Sequence, residues 1–239
     1  ISTAVAADFR VRKGQDIIDP DQNLGFCENS KLIQDQLLKD GFTSEELVNS
    51  GLFYKKDGTN ELINRFKNRI IFPIQNYYNN FIGCGGRAVL DNALAKYINS
   101  PETNYFKKGF NLFNLNHARK ESLNTNTLIL VEGYMDVVAL AEYGIHYAVA
   151  TLGTATSEHH IRRLFKVVPE IIFCFDGDHA GRTAAQRAME TVIPALQDGL
   201  QARFLFLPDG EDPDTIVRKE GKEAFEKRLD NSKHLPEFV

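Results

Sequence analysis

Residues 127–136 read TLILVEGYMD, and residues 171–178 read IIFCFDGD. Each stretch is a short apolar run that ends in an acidic residue, which is typical of a buried parallel strand followed by a functional loop. Around them, helical and apolar segments alternate at residues 134–143, 148–152, 157–166, 180–197 and 201–207. Strands that alternate with helices over about 100 residues predict a mostly parallel sheet with helices on both faces.

Acidic residues follow three of these predicted strands. The acidic residues in question are Glu132, Asp136, Asp176, Asp178, Asp212 and Asp214. In an open parallel sheet, ligands bind beyond the carboxyl ends of the strands, so these side chains are expected to converge there. Carboxylate oxygens suit Mg²⁺, and paired metal ions serve polymerases and nucleases. The alternative is that an Asp after a strand, such as Asp178, is only a helix cap. His159 and His160 are expected to face solvent rather than bind metal.

The middle of the chain is basic. Residues 65–110 contain seven basic and two acidic residues, whereas the segments before and after carry net charges of −4 and −5. Strands are predicted at 69–75 and 81–90, the second interrupted by glycines that indicate a bulge or a close approach. A basic middle beside an acidic second half indicates two surfaces with different tasks, although a solvated charged face is the simpler alternative.

Length and composition limit the remaining possibilities. The chain has 239 residues, 43% of them hydrophobic, which suits one or two domains. No apolar run reaches 18 residues, so no membrane span is expected, and residues 1–8 lack the pattern of a signal peptide. The missing initiator Met indicates a fragment or a processed chain. Cys27, Cys84 and Cys174 are far apart in sequence, which argues against zinc or disulfides and favours a reducing cytoplasm.

Three motifs together resemble the TOPRIM signature. They are LVEGYMD at 130–136, ATLGTA at 150–155 and FDGDHAGR at 175–182. The EGYMD form, and FLPDGEDPD at 206–214, are similar to bacterial DNA primases in particular. The resemblance implies that Glu132, Asp176 and Asp178 are catalytic and that all six acids hold Mg²⁺, or alternatively Mn²⁺.

The same resemblance extends upstream. RFKNRIIFPI at 65–74, GCGGR at 83–87, KYINSPET at 96–103 and KG at 108–109 are similar to the basic segments of these primases. In that family such residues hold the template and the incoming nucleotides. The implied contacts are Arg65, Lys67, Asn68, Arg69, Arg87, Lys96, Tyr97, Asn99 and Lys108. Lys67 stands where the family has an arginine, which keeps the charge but loses a fork-shaped donor.

The resemblance implies a fold and a set of partners. The fold is an α/β TOPRIM sheet flanked by helices at 123–239, preceded by a mixed α+β subdomain at 1–122 that is basic from about 62. The implied partners are single-stranded DNA, ribonucleoside triphosphates and the RNA primer, at the replication fork in the bacterial cytoplasm. Family members usually also carry a zinc-binding domain and a domain that contacts the replicative helicase, and neither has a counterpart in these residues.

Other functions use the same acids. A TOPRIM nuclease or topoisomerase-like enzyme would need them equally, and a topoisomerase would also need a nucleophilic tyrosine. A non-catalytic nucleic-acid-binding TOPRIM module would have an incomplete acid set. A phosphatase with a nucleophilic Asp would leave Glu132 and the basic segment without a role.

Overall fold

The computed structural model describes residues 24–27, 31–90 and 93–235. These residues form two compact units, the first ending at Lys107 and the second beginning at Lys108. Residues 108–122, assigned to the N-terminal subdomain from the sequence, belong to the second unit by their packing. The division into domains at 1–122 and 123–239 stays a prediction. The stretch 1–8, expected to carry no signal peptide, lies outside the described residues.

The first unit contains short helices and antiparallel strands. The helices are α1 (Lys31–Lys39) and α2 (Ser44–Asn49). The strands are β1 (Gly25–Cys27), β2 (Phe53–Lys55), β3 (Leu62–Asn64), β4 (Arg69–Gln75), β5 (Phe81–Ala88) and β6 (Tyr97–Asn99). Among the described residues, β2 and β3 form a hairpin, and the other four pair in the order β1-β4-β5-β6.

Local sequence explains several of these elements. Thr43 caps α2 and Glu46 returns the hydrogen bond, as their three-residue spacing predicts. Asn79 has φ 64° in the turn between β4 and β5, a left-handed conformation that asparagine tolerates. The predicted strands at 69–75 and 81–90 are confirmed as β4 and β5, although β5 ends at Ala88, two residues earlier than predicted.

The glycines of β5 make room for aromatic side chains. A Cβ added to Gly86 would lie 2.7 Å from Cδ1 of Phe66, and one added to Gly83 would lie 3.3 Å from the Phe106 ring. Both phenylalanines are fully buried. The close approach expected from these glycines is thus an approach by side chains of the same unit.

The second unit is the α/β part of the chain. Its helices are α3 (Leu115–Thr125), α4 (Tyr134–Glu142), α5 (Glu158–Phe165), α6 (His179–Val192), α7 (Pro213–Glu220) and α8 (Lys222–Asp230). Its strands are β7 (Thr127–Val131), β8 (Ala148–Ala150), β9 (Glu170–Phe175), β10 (Gln201–Phe206) and β11 (Lys233–His234). Within the described chain these strands pair in the order β11-β10-β9-β7-β8, and only β11 is antiparallel.

Both faces of this sheet are covered. Leu128 and Phe173 belong to a core cluster with side chains of α3, α5 and α6, while Ile129 and Cys174 on the alternate positions are just as buried. Full burial on both sides explains why these strands read as continuous apolar runs. The expected α/β fold with a mostly parallel sheet is confirmed. None of the helices in the described part of the chain has the length and apolar character of a membrane span.

Helix α3 lies in a segment for which the sequence predicts no helix. Asn116 and Ser122 are buried although they are polar, so the helix lacks the apolar periodicity that reveals an amphipathic helix. Its capping residues, Asn114 and Asn126, are both in the left-handed conformation. Packing against the sheet, rather than sequence pattern, accounts for this helix.

Candidate active site

The predicted acidic cluster lies where the strand order of the second unit reverses. Strands β7 and β9 are parallel neighbours, with β8 beyond β7 and β10 beyond β9. Glu132 follows β7 and Asp176 follows β9, and the backbone N–H of Asp176 donates a hydrogen bond to the Glu132 carboxylate. Reversal points at the carboxyl edge of such sheets are the usual place for ligands.

Asp136 lies in the first turn of α4, at the same carboxyl edge of the sheet. Its Oδ2 accepts a hydrogen bond of 3.0 Å from the N–H of Gly133, and the residue is only 8% exposed. Its carboxylate interacts electrostatically with those of Asp176, Asp212 and Asp214. These acids, which are distant in sequence, are therefore brought together, as predicted.

Gly177 allows two loops to pack directly against each other. A Cβ at this position would lie 1.8 Å from the carbonyl oxygen of Pro208, which no side chain can occupy. The N–H of Gly177 donates a 2.9 Å hydrogen bond to the carbonyl of Glu211. The loop after β9 and the loop after β10 are joined by this contact, which brings Asp212 beside Asp176.

Two of the acids are also helix caps. Asp178 precedes α6 and accepts a 2.7 Å hydrogen bond from the N–H of Gly181, and Asp212 precedes α7 and accepts one of 2.7 Å from the N–H of Thr215. The capping role considered for Asp178 is thus observed, and Asp212 shares it. One oxygen of each carboxylate is held by its helix, which orients the other. Asp214 pairs with Arg218 four residues later.

Burial and mutual repulsion raise the proton affinity of the cluster. Burial, followed by the charges of Asp176 and Asp212, raises the pKa of Asp136 to about 8. Burial and then the Glu132 charge raise the pKa of Asp176 to about 7, and burial also raises that of Glu132. Carboxylates gathered out of water favour protons or a cation, either of which neutralises them.

Two oxygens in this cluster are buried without a partner. Oε1 of Glu132 and Oδ1 of Asp176 accept no hydrogen bond. A buried acceptor left unsatisfied costs about 1–3 kcal/mol, more when it is charged. The chemistry of this donor set fits a hard cation such as Mg²⁺. However, in residues 24–27, 31–90 and 93–235 no three His, Cys, Asp or Glu side chains form a ready ligand group.

The basic residues predicted to bind nucleic acid lie mostly in the first unit, and Arg69 has structural partners there. Its guanidinium donates to the backbone carbonyls of Ala95, at 2.9 Å, and Lys96, at 3.2 Å. Partial burial lowers the pKa of Arg69. This side chain joins the segment before β6 to the sheet.

Arg65 and Lys67 differ in how far their charged groups are exposed to solvent. Arg65 donates to the carbonyl of Gly51 and lies over the Tyr54 ring, with its guanidinium carbon 5.4 Å from the ring centroid. Lys67 is exposed in the turn before β4, and the neighbouring Asn68 has φ 55°. Lys67 is thus the more accessible charge of this turn.

Strands β5 and β6 carry three more of the predicted contacts. Arg87 is directly opposite Tyr97, and Gly85 is opposite Asn99. Nε of Arg87 is buried without a hydrogen-bond partner, and the exposed Lys96 lies over the Tyr97 ring at 5.9 Å. A half-exposed tyrosine beside two cations has the chemistry for stacking bases and holding phosphates.

Lys108 belongs to the second unit, and its contact with His160 is not predicted from the sequence. Its backbone carbonyl lies 2.8 Å from Nε2 of His160, which is fully buried. The expectation that His160 faces solvent is wrong, because the ring packs under the segment that carries Lys108; His159 alone is exposed. The available signal was the three-residue spacing of Ser157 and His160, which make a capping pair at the start of α5.

Family models match both units. Residues 12–119 match the family described as DNA primase catalytic core, N-terminal domain, and residues 126–206 match the Toprim domain. Over 195 residues the chain is 52% identical to the DNA primase of Escherichia coli K12. This chain belongs to the DNA primase family. The expected resemblance to TOPRIM-containing bacterial primases is confirmed.

Solved primase structures share the fold. A DNA primase domain from Pseudomonas aeruginosa is 44% identical, with a TM-score of 0.88 over 99% of this chain and 79% of that one. A DnaG primase catalytic domain bound to single-stranded DNA is 44% identical, with a TM-score of 0.83 over 98% of this chain and 76% of that one. The match to the Escherichia coli primase covers 82% of this chain but 33% of that protein. The chain therefore spans about a third of its curated primase relative.

Proposed function

We propose that this chain is the catalytic core of a primase, which makes short RNA primers on single-stranded DNA by metal-assisted nucleotidyl transfer. The observation that carries the proposal is the acidic cluster with its two unpartnered buried oxygens, in a chain 52% identical to a DNA primase. Its substrates would be ribonucleoside triphosphates and a DNA template. Residues 123–239 would be the TOPRIM domain and 1–122 the N-terminal subdomain.

Glu132, Asp176 and Asp178 would be the catalytic ligands, supported by Asp136, Asp212 and Asp214. When bound there, Mg²⁺ or Mn²⁺ would activate the primer 3′-oxygen and offset charge at the α-phosphate. The N–H groups that hold Asp178 and Asp212 fix those carboxylates in place before any ligand arrives. The buried oxygens of Glu132 and Asp176 that accept no hydrogen bond would be stabilised most by a bound positive charge.

The first unit would hold nucleic acid and nucleotides. Lys67, Arg87 and Lys96 would contact phosphates, and Tyr97 would stack on a base. Arg65 and Arg69 would stabilise the backbone beneath this surface, because their guanidiniums donate to backbone carbonyls. Asn68 and Asn99 of this unit, and Lys108 of the second unit, complete the proposed contacts. A similar DnaG catalytic domain has been solved with single-stranded DNA, which supports this assignment.

The cellular setting follows from the same proposal. The RNA primer would be the product, released at the replication fork in the bacterial cytoplasm. In the full-length protein, the replicative helicase would be contacted through a domain outside these residues.

The decisive experiment supplies single-stranded DNA, labelled ribonucleotides and Mg²⁺ or Mn²⁺. We expect template-dependent labelled RNA from the unaltered chain. Glu132→Gln and Asp176→Asn should each reduce it about a hundredfold or more, the loss typical when one charge-stabilising group is removed. Asp198→Asn, an exposed carboxylate in the turn before β10, is the matched control and should keep full activity.

Other outcomes would assign another function. Metal-dependent cutting of the DNA without RNA synthesis would indicate a TOPRIM nuclease. DNA binding without any turnover, in a chain whose fold is intact by circular dichroism, would indicate a binding module. RNA synthesis that survives both substitutions would remove the acidic cluster from the mechanism.

A further inference from the structure

Three consecutive carbonyls in the segment that follows Lys107 are each bound by a different side chain of helix α5 or its N-cap. Nε2 of His160 lies 2.8 Å from the carbonyl of Lys108, and the Ser157 hydroxyl donates to that of Gly109 at 2.6 Å. Nη1 of Arg163 donates to the carbonyl of Phe110 at 2.8 Å. We call residues 108–113 the strap. Three successive carbonyls with fixed hydrogen-bond partners give the strap a defined backbone path.

The far end of the strap is joined to the edge of the parallel sheet. Phe113 and Ala150 exchange backbone hydrogen bonds of 2.9 and 3.3 Å in an antiparallel bridge. Ala150 is the parallel partner of Val131, which directly precedes Glu132. The strap therefore ends beside the carboxyl end of β8, at the edge of the sheet where the acidic cluster also lies.

His160 is the central element of this arrangement. Its Nδ1 accepts a 3.2 Å hydrogen bond from the N–H of Ser157, so the proton is on Nε2, which donates to the strap. The ring is fully buried, and burial lowers its pKa, which keeps it in the neutral form that this geometry needs. The Phe110 ring stacks on the exposed His159, with ring centroids 4.0 Å apart.

We propose that Ser157, His160 and Arg163 are positioning residues that hold the strap so that the Lys108 ammonium meets phosphate oxygens at the carboxyl edge of the sheet. The inference rests on the proposed primase function. Lysine is a flexible point charge, and a fixed backbone lowers the entropy lost when it binds. The phosphate would come from the incoming triphosphate or from the template backbone.

The test compares Lys108→Ala, His160→Ala and the double variant. The Michaelis constant for ribonucleotides is measured in primer synthesis, and single-stranded DNA binding is measured by fluorescence anisotropy at several salt concentrations. We expect His160→Ala to weaken binding of the same ligand that Lys108→Ala affects, by about three- to tenfold. The kcat should change less than about twofold. The double variant should be no weaker than Lys108→Ala, because one interaction is lost in both.

Matched variants separate positioning from general damage. His160→Gln, whose amide can donate to the same carbonyl, should recover most of the binding. Arg163→Ala should resemble His160→Ala, whereas Arg162→Ala should not, because the Arg162 side chain pairs with the exposed Glu158. Melting temperatures of all variants establish that each is folded.

The two measurements identify the source of the phosphate. A raised Michaelis constant alone assigns the triphosphate, and weaker DNA binding with a shallower salt dependence assigns the template. Additive losses in the double variant, or folded His160→Ala and Arg163→Ala that bind both ligands normally, would overturn the inference, as would normal binding by Lys108→Ala. A chain that makes no RNA refutes the proposed function instead, and the binding measurements still test the strap.

Discussion

The acidic cluster of the second unit and Arg69 of the first unit use charge in different ways. In the second, carboxylate oxygens of Glu132 and Asp176 are buried without partners. In the first, the Arg69 guanidinium already donates to the carbonyls of Ala95 and Lys96. A satisfied cation stabilises its unit without any ligand, whereas an unsatisfied anionic cluster is costly until a cation or proton arrives. Clustered charge in a sequence therefore indicates a ligand site only where the fold leaves it unpaired.

The largest expected effect is on the backbone contact that assembles the acidic cluster. Gly177→Ala places a methyl group where the Pro208 carbonyl lies, so the two loops must separate. We expect a loss of more than about 4 kcal/mol in the free energy of unfolding, a size reached only by severe steric conflicts. Chemical denaturation measures it. Gly199→Ala is the control, since that site has space and only φ 85° to accommodate, a strain of about 1–2 kcal/mol. Equal losses at both sites would contradict the close contact.

Charge repulsion within the cluster should make the metal-free protein less stable than it could be. Asp136→Asn removes a buried carboxylate whose pKa is raised to about 8, while its amide oxygen can still accept from Gly133. In a chelator at pH 8 we expect the variant to be more stable by up to about 3 kcal/mol. Thermal melts with and without Mg²⁺ measure it. Mg²⁺ should raise the melting temperature of the unaltered chain more than that of the variant. A variant that is destabilised in chelator would show that the hydrogen bonding of this carboxylate outweighs its repulsion by the other acids.

The first unit should respond in the opposite sense. Arg69→Ala removes satisfied hydrogen bonds, so it should destabilise the unit by about 2 kcal/mol even without nucleic acid. Lys67→Ala, two residues earlier in the preceding turn and exposed, should change stability by no more than about 0.5 kcal/mol. Urea unfolding of both variants provides the measurement. If Arg69→Ala leaves stability unaltered and weakens only DNA binding, the assignment of Arg69 to structure is wrong.

The smallest expected effect is a pH dependence at His160. Burial, and then the charges of Arg163 and His159, lower its pKa, while the carbonyls of Lys108 and Asn111 oppose the shift. A histidine with a lowered folded pKa stabilises the protein above its unfolded value near 6.5, and this contribution is lost as pH falls through the folded pKa. We expect this contribution as a difference between the melting profiles of the unaltered chain and a His160 variant between about pH 7 and 5. His160→Gln should flatten that part of the profile relative to the unaltered chain.

The acidic residues were predictable because the strands of a parallel sheet end at a common edge. The apolar runs before Glu132 and Asp176 identify buried strands, and the sheet geometry brings their ends together. The chain-wide motif pattern also indicated the primase family, which the family models and relatives confirm. These features depend on local periodicity and on residues close in sequence.

Tertiary structure alone decided which charges have partners. Arg69 and Lys67 look alike in the sequence, yet only one of them is used to join strands, because its partners are carbonyls 26 and 27 residues away. His160 reads as a surface residue on a short helix, and its burial depends on the strap 52 residues earlier. Helix α3 is hard to recognise from the sequence because buried Asn116 and Ser122 interrupt its apolar pattern. Local sequence specifies secondary structure and motif, but the pairing of polar groups across the chain exists only once the fold has formed.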